Sequence, residues 1–242
     1  MHLTYSVPDC PPGGRRLVIP DIHGCADTLD CLLERIALTP SDQLFLLGDY
    51  INKGPKSRAV VDTLIALQSQ DFQVFALRGN HEQMLLRTHA GSRHDQNRRI
   101  PRLHRHQGLV DERMQILPKY LPFFENLAFY FDLGDYMLVH AGFNFAQSRP
   151  FEDTEAMLWA TYFDLQDAPT LQRRIIHGHH PNYLPFIETA LEKNNAIIPL
   201  DNGCVYRRRL HMGNLLCLNL DTLDLYVQRN IETRTRRRVV SS

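Results

Sequence analysis

The chain carries no surplus of charge of either sign, with 27 Lys and Arg against 27 Asp and Glu among 242 residues. A balanced chain lacks the global field that draws a protein to nucleic acid or to an anionic membrane, so neither is expected as a partner. Long apolar runs are missing too. Stretches such as LFLL and NLLCLNL fall far short of the roughly 20 residues that cross a bilayer. The start, MHLTYSVPDCPPGG, has no basic stretch leading into an apolar one. A soluble, cytoplasmic protein is the expectation. Cysteine is scarce and unpaired in pattern: Cys10, Cys25, Cys31, Cys204 and Cys217 are odd in number and contain no C-x-x-C. That excludes a disulfide framework and a zinc ribbon. They are read as reduced thiols, with Cys25 a small filler in the loop after His23.

What remains is a chain long enough to bury a sizeable core. It is read as one domain, residues 1–242, with a core at about 15–229, a flexible extension at 1–14 and a basic tail at 232–242. The first third repeats one plan. The runs RLVIP, QLFLL and QVFAL are each short and β-branched or aromatic enough for a buried strand. Each leads into a loop rich in Gly, Asp, His or Asn and then a helix-period stretch: TLDCLLERIAL, AVVDTLIAL and EQMLLRTHA. Leu29, Leu32, Leu33 and Ile36 share one face of the first. Strands alternating with helices imply βαβ units and a parallel sheet, with function at the strands' carboxyl ends. Farther on, LAFYFDLGDYMLVHAGF predicts a hairpin turning near Leu133-Gly134-Asp135. RRIIHGHHP, NAIIPLDNGCVY and the pair NLLCLNL and LDLYVQ predict further strands. The polar, basic stretch around 92–105 has no period and reads as a solvated loop or small lid.

Each apolar run is followed by a candidate ligand. PDIHGC offers Asp21 and His23, LGDY offers Asp49, RGNHE offers Asn80 and His81, VHAG offers His140, and HGHHP offers His179. Taken singly, an Asp or His in a loop is usually solvated or a cap. Jointly they form two sets of carboxylate and imidazole donors with one amide and no thiolate, which suits manganese, iron or zinc as a divalent ion. A single Asp can bridge two cations, and Asp49 is the natural bridge.

The motifs PDIHG, GDYINKG, GNHE, HAG and GHHP resemble, in order, those of the calcineurin-type metallophosphoesterases. The closest likeness is to bacterial members of the phosphoprotein phosphatase family, and RGNHEQML is similar to the lambda type. The resemblance spans residues from about 16 to 204. It implies a four-layer α/β/β/α sandwich with a dinuclear metal site at the strand ends. One ion would take Asp21, His23 and Asp49, and the other Asp49, Asn80, His140 and His179. It also implies two divalent ions, manganese first, with iron (Fe2+ or Fe3+) or zinc as alternatives. Attack on phosphorus would come from a hydroxide shared by the ions, with His81 as general acid for the leaving group. His177 and His180 are assigned hydrogen-bonding roles beside the ligands.

The second motif departs from the family pattern, reading Asn52-Lys53-Gly54 where Asp-Arg-Gly is usual. Asn52 can orient His81 by hydrogen bond but brings no negative charge, so slower turnover or a preference for better leaving groups is expected. Lys53 supplies charge to the phosphate without the planar fork of Arg. Thr161, in AMLWATYF, stands where bacterial relatives place a phosphate-binding Arg, and Arg78 is a candidate to help bind phosphate in its stead. The implied activity is hydrolysis of phosphate monoesters, phosphoserine and phosphothreonine in proteins first, so the expected partner is a phosphorylated protein or a small phosphate ester. Hydrolysis of nucleotides or symmetrical dinucleoside polyphosphates is the alternative, and a phosphate-sensing protein of weak activity the third reading.

Overall fold

Strict alternation along short apolar strands decides the layers. The computed structural model describes residues 3–91, 108–166 and 171–233. Its first sheet runs in the order β3 (Gln73–Ala76), β2 (Gln43–Leu46), β1 (Arg16–Ile19), β8 (Asn214–Asn219), β9 (Leu225–Arg229). The second runs β4 (Tyr130–Asp132), β5 (Tyr136–Val139), β6 (Arg174–His177), β7 (Ile197–Pro199). Leu17, Ile19, Leu44, Leu46, Val74 and Ala76 point to one side of the first sheet and join a core beneath the helices. Val18, Phe45, Phe75, Leu216 and Leu218 point to the other and meet Phe131, Leu138, Ile176 and Ile198 of the second sheet. Met137, Val139 and Ile175, on that sheet's far side, pack with Met157 and Leu158. Both faces of each sheet are therefore buried, which is why the strands read as continuous apolar runs.

Helices α1 (Ala26–Arg35), α2 (Ser57–Ser69), α3 (Asn80–His89) and α4 (Leu121–Glu125) supply the layer on the first sheet, and α5 (Thr154–Trp159) lies on the second. Helix α6 (Leu184–Glu192) packs along β7, entered through a proline in its first turn. The α/β sandwich implied by the motifs is thus present. β1, β2 and β3 are parallel, as the repeating plan requires, but both sheets are mixed: β8 runs antiparallel to β1, β9 antiparallel to β8, and β4 antiparallel to β5. Chain reversal at Gly134, whose φ is 86°, and at Thr222 makes those hairpins.

Both ends of the core make long-range contacts. Before β1, Leu3 O accepts from Phe129 N at 2.8 Å, Gln43 Nε2 donates to Pro8 O at 2.9 Å, and Tyr5 meets Phe131 edge-on at 5.0 Å. Glu232 is 4% exposed, and its Oε1 accepts from Thr28 N and Oγ1 at 3.1 and 3.3 Å. It takes over capping of α1, whose N-cap Cys25 makes no side-chain cap. The basic stretch 92–105 and the tail beyond 233 lie outside the described residues. Among the described residues no helix is long and apolar enough to cross a membrane.

Candidate metal centre

Every sequence-predicted ligand lies just beyond the carboxyl end of a strand. Asp21 and His23 follow β1, Asp49 follows β2, Asn80 opens α3 after β3, His140 follows β5 and His179 follows β6. Adjacent strands deliver them to one edge, where the two sheets meet. The backbone there is bent hard: His23, Asp49, Asn52, Lys53 and His179 all hold φ between 49° and 68°. A left-handed conformation at a residue with a side chain costs about 1–3 kcal/mol and persists only where surroundings impose it. The glycines of the motifs give the necessary close approach. A Cβ on Gly79 would lie 2.2 Å from Asp49 Oδ1, and one on Gly178 would lie 2.3 Å from Asp21 Oδ1.

Glu82, the last residue of GNHE, imposes much of this shape. Fully buried, its carboxylate accepts from Asp49 N at 2.8 Å, Tyr50 N at 2.9 Å, Ile51 N at 3.3 Å and Gly79 N at 3.0 Å. Burial and the neighbouring Asp49 carboxylate push its pKa up to about 8, against the pull of those amides. Sequence reasoning passed over this role. The signal was available, since Glu82 stands three residues after the N-cap Gly79, where a Glu side chain can accept from the N-cap backbone N–H.

Asp49 faces two groups at once. Its Oδ2 lies 3.5 Å from His23 Nε2 and 3.8 Å from His81 Nε2, whereas Oδ1 lies 3.6 Å from His140 Nε2. His23, Asp49 and His81 form one cluster of converging donor atoms, and Asp49, His140 and His179 a second. His81 thus joins the first cluster. Asp21 stands beside it, with Oδ2 3.7 Å from His23 Nε2 and Oδ1 accepting from His179 N at 2.9 Å.

The arrangement fits divalent ions. His23 Nδ1 and His140 Nδ1 meet the carbonyls of Ile51 and Leu47 at 3.1 and 2.8 Å. Donation there places the protons on Nδ1 and turns both Nε2 lone pairs inward. His140 Nε2 lies 3.2 Å from His179 Nδ1 and 3.1 Å from Asn80 Oδ1, and the buried Asp21 Oδ2 has no hydrogen-bond partner. Inward acceptors facing acceptors are costly unless a cation sits among them. Turning the Asn80 amide over would let its nitrogen donate to His140, His179 and Asp49 at 3.1 to 3.3 Å. Oxygen-inward is the orientation that suits a hard cation. Burial lowers the pKa of His23 and His140 and takes that of His179 down to about 3, so all three are neutral ligands. Burial alone would raise Asp49, but its electrostatic interactions with the His81, His140 and His23 side chains and with Lys53 outweigh it and hold its pKa down.

Around this centre Asn52 Nδ2 lies 2.9 Å from His81 Nδ1, and Lys53 Nζ lies 2.6 Å from His23 Nε2. Arg78 is a correction. Its Nη1 donates to Gln83 Oε1 at 3.0 Å, its Nη2 donates to Phe124 O and Glu125 O at 3.2 and 3.1 Å, and its guanidinium lies 5.0 Å over the Phe129 ring. It fastens α4 to the strand end and is not presented to substrate. His177 Nδ1 meets Gly178 O at 3.1 Å, and the His180 ring packs on His179 at 4.6 Å. Two further residues went unnoticed in the sequence. Asp201, just after β7, is 2% exposed, with its carboxyl pushed up by burial and by Asp21. Trp159 meets the His179 ring edge-on at 6.1 Å.

Comparison with known proteins agrees with this geometry. Curated relatives include the symmetrical bis(5'-nucleosyl)-tetraphosphatase of Dechloromonas aromatica, 35% identical over 130 residues, or 51% of this chain and 42% of that protein. The protein so named from Cellvibrio japonicus is 42% identical over 76 residues, or 31% of this chain and 27% of that protein. The chain thus spans less than half the length of these relatives. Among solved structures, a candidate diadenosine tetraphosphatase superposes with a TM-score of 0.59 at 21% identity, covering 88% of this chain and 92% of that one. A serine/threonine phosphatase from Saccharomyces cerevisiae gives 0.61 at 15% identity, covering 93% and 82%; at such identities the likeness is one of fold. A model of the calcineurin-like phosphoesterases matches residues 14–220. With that match over most of its length, a fold in common and a two-cluster site at the strand ends, the chain belongs to the calcineurin-like phosphoesterase family.

Proposed function

We propose that this metal-dependent phosphoesterase cleaves dinucleoside tetraphosphates symmetrically, adding water across the central phosphoanhydride to release two nucleoside diphosphates. Asp21, His23, Asp49, Asn80, His140 and His179 would hold two divalent ions, which would supply Lewis acidity for attack by water. His81, 3.8 Å from Asp49 Oδ2, donates a proton to the departing oxygen. Lys53 offers charge to a phosphate oxygen.

The observation that carries the choice of substrate is the partner of His81. A neutral amide, Asn52, faces His81 Nδ1 at 2.9 Å. An amide orients the ring but does not stabilise an imidazolium as a carboxylate would. A serine or threonine alkoxide is a strong base and needs full protonation as it leaves; the terminal oxygen of a nucleoside diphosphate does not. The site therefore suits a phosphoanhydride better than a phosphoserine ester, in agreement with the names of the curated relatives.

A substrate panel with manganese-loaded protein tests this. Diadenosine tetraphosphate should be cleaved to ADP alone, with a kcat/KM well above that for phosphopeptides. Faster phosphopeptide hydrolysis would replace the proposal with a protein phosphatase. No turnover above an Asp49→Asn control on either substrate would leave a phosphate-binding protein.

A further inference from the structure

Trp159, the only tryptophan of the chain, both meets a candidate metal ligand and lines a cleft. Its ring meets His179 at 6.1 Å and also lines a cleft of about 550 Å³, a size ordinary for small-molecule sites. Phe143, Phe145, Phe163 and Tyr162 line the same cleft. Phe163 packs on His177 at 5.3 Å. A Cβ on Gly142 would stand 2.3 Å from the Phe163 ring, so the glycine lets that ring in. Tyr162 is 78% exposed, yet it is held in place, its hydroxyl donating to Asp164 Oδ2 at 3.0 Å. The fold thus leaves an aromatic ring open to water in the same cleft as the tryptophan that meets His179.

The charge of the cleft says what enters it. Asp153, Glu155 and Asp164 line it, and among the described residues no Lys or Arg does. Glu155 is paired with Arg87, which lies outside the lining. Such a surface repels phosphate, whereas the metal centre beside it attracts phosphate. An occupant that bridges the two has an anionic part for the metals and a flat, uncharged part for the aromatic rings. Its N–H donors would suit the acceptors Asn144 and Asp164.

We propose that this cleft is a nucleobase subsite, in which a base of the substrate stacks on Tyr162 and Trp159 while its phosphates reach the metal centre. The assignment rests on the proposed function for the phosphates, but base binding can be measured without them. The lone tryptophan reports on this cleft directly. Adenosine, which carries no phosphate, should quench Trp159 fluorescence saturably, and ribose 5-phosphate, which carries no base, should not. Tyr162→Ala should weaken adenosine binding roughly tenfold, and Tyr162→Phe should retain it, as expected for stacking. The exposed position of Tyr162 makes both substitutions safe for folding. Absence of saturable quenching, or equal affinity in Tyr162→Ala, overturns the subsite. The outcomes separate from those of the substrate panel: tetraphosphate cleavage without adenosine quenching removes the subsite alone, and quenching without cleavage removes the tetraphosphatase reading alone.

Discussion

Asn52 Nδ2 lies 2.9 Å from His81 Nδ1, so the proposed general acid faces an amide where a carboxylate would also stabilise its charge. Asn52→Asp should raise kcat on alkyl phosphate esters about tenfold, the lower end of what a supporting partner contributes. Cleavage of the tetraphosphate should change far less. A leaving-group series on both proteins reads this as a shallower slope in the variant. Identical slopes would mean that position 52 does not govern proton donation by His81.

Glu82 gathers the amides of Asp49, Tyr50, Ile51 and Gly79 on one carboxylate. A Gln there keeps one acceptor oxygen and turns an NH2 toward N–H donors. Glu82→Gln should cost about 1–3 kcal/mol of stability, the scale for leaving a buried hydrogen-bonding group unsatisfied. It should also weaken manganese binding about 10- to 100-fold, since the loop it shapes carries Asp49. Urea unfolding and calorimetric titration measure the two effects, and manganese affinity like that of the parent chain would count against the loop-shaping role.

Arg78 is 3% exposed and bonded to Gln83, Phe124 and Glu125. Arg78→Met should destabilise the fold by about 2–4 kcal/mol through the unpaired carbonyls. Michaelis constants should stay within about twofold, because uniform substrate binding is untouched. A large rise in KM at unchanged stability would return Arg78 to the substrate.

Asp42 provides a pH-dependent contribution away from the metal centre. Burial would raise its pKa, but hydrogen bonds from the Arg15 side chain and backbone and from Thr39 outweigh burial and hold it at about 2. A folded pKa below the unfolded one of about 3.9 stabilises the fold above the unfolded value. That stability is lost as pH falls through the folded value. Unfolding free energy should therefore decline between about pH 4 and pH 2, and Asp42→Asn should flatten that decline. An unchanged acid limb in the variant would exclude the pair as its source.

Much of the fold was legible because burial on both faces forces each strand to read as an uninterrupted apolar run, as in Val18 and Ile19 or Phe45 and Leu46. The antiparallel placement of β8 beside β1 was not, since pairing over some 200 residues of separation leaves no local trace. The packing of the N-terminal extension was not read either: Leu3, Tyr5 and Val7 alternate with Thr4 and Ser6, but so short a run does not show which surface it covers until the sheets are assembled.

The sequence by itself determined which donors the centre has and their order along the chain, because each stands directly after an apolar strand and strand ends share one edge. Tertiary structure decided where the side chains point. It sends the two oxygens of Asp49 to different histidines, His23 and His140, and turns Arg78 inward to α4. It also places Trp159 between His179 and an aromatic cleft. The physical reason lies in the loops: beyond the strands the backbone of His23, Asp49 and His179 is left-handed. That conformation is imposed by distant partners such as Glu82 and by the close approach of Gly79 and Gly178, not by the residues that adopt it.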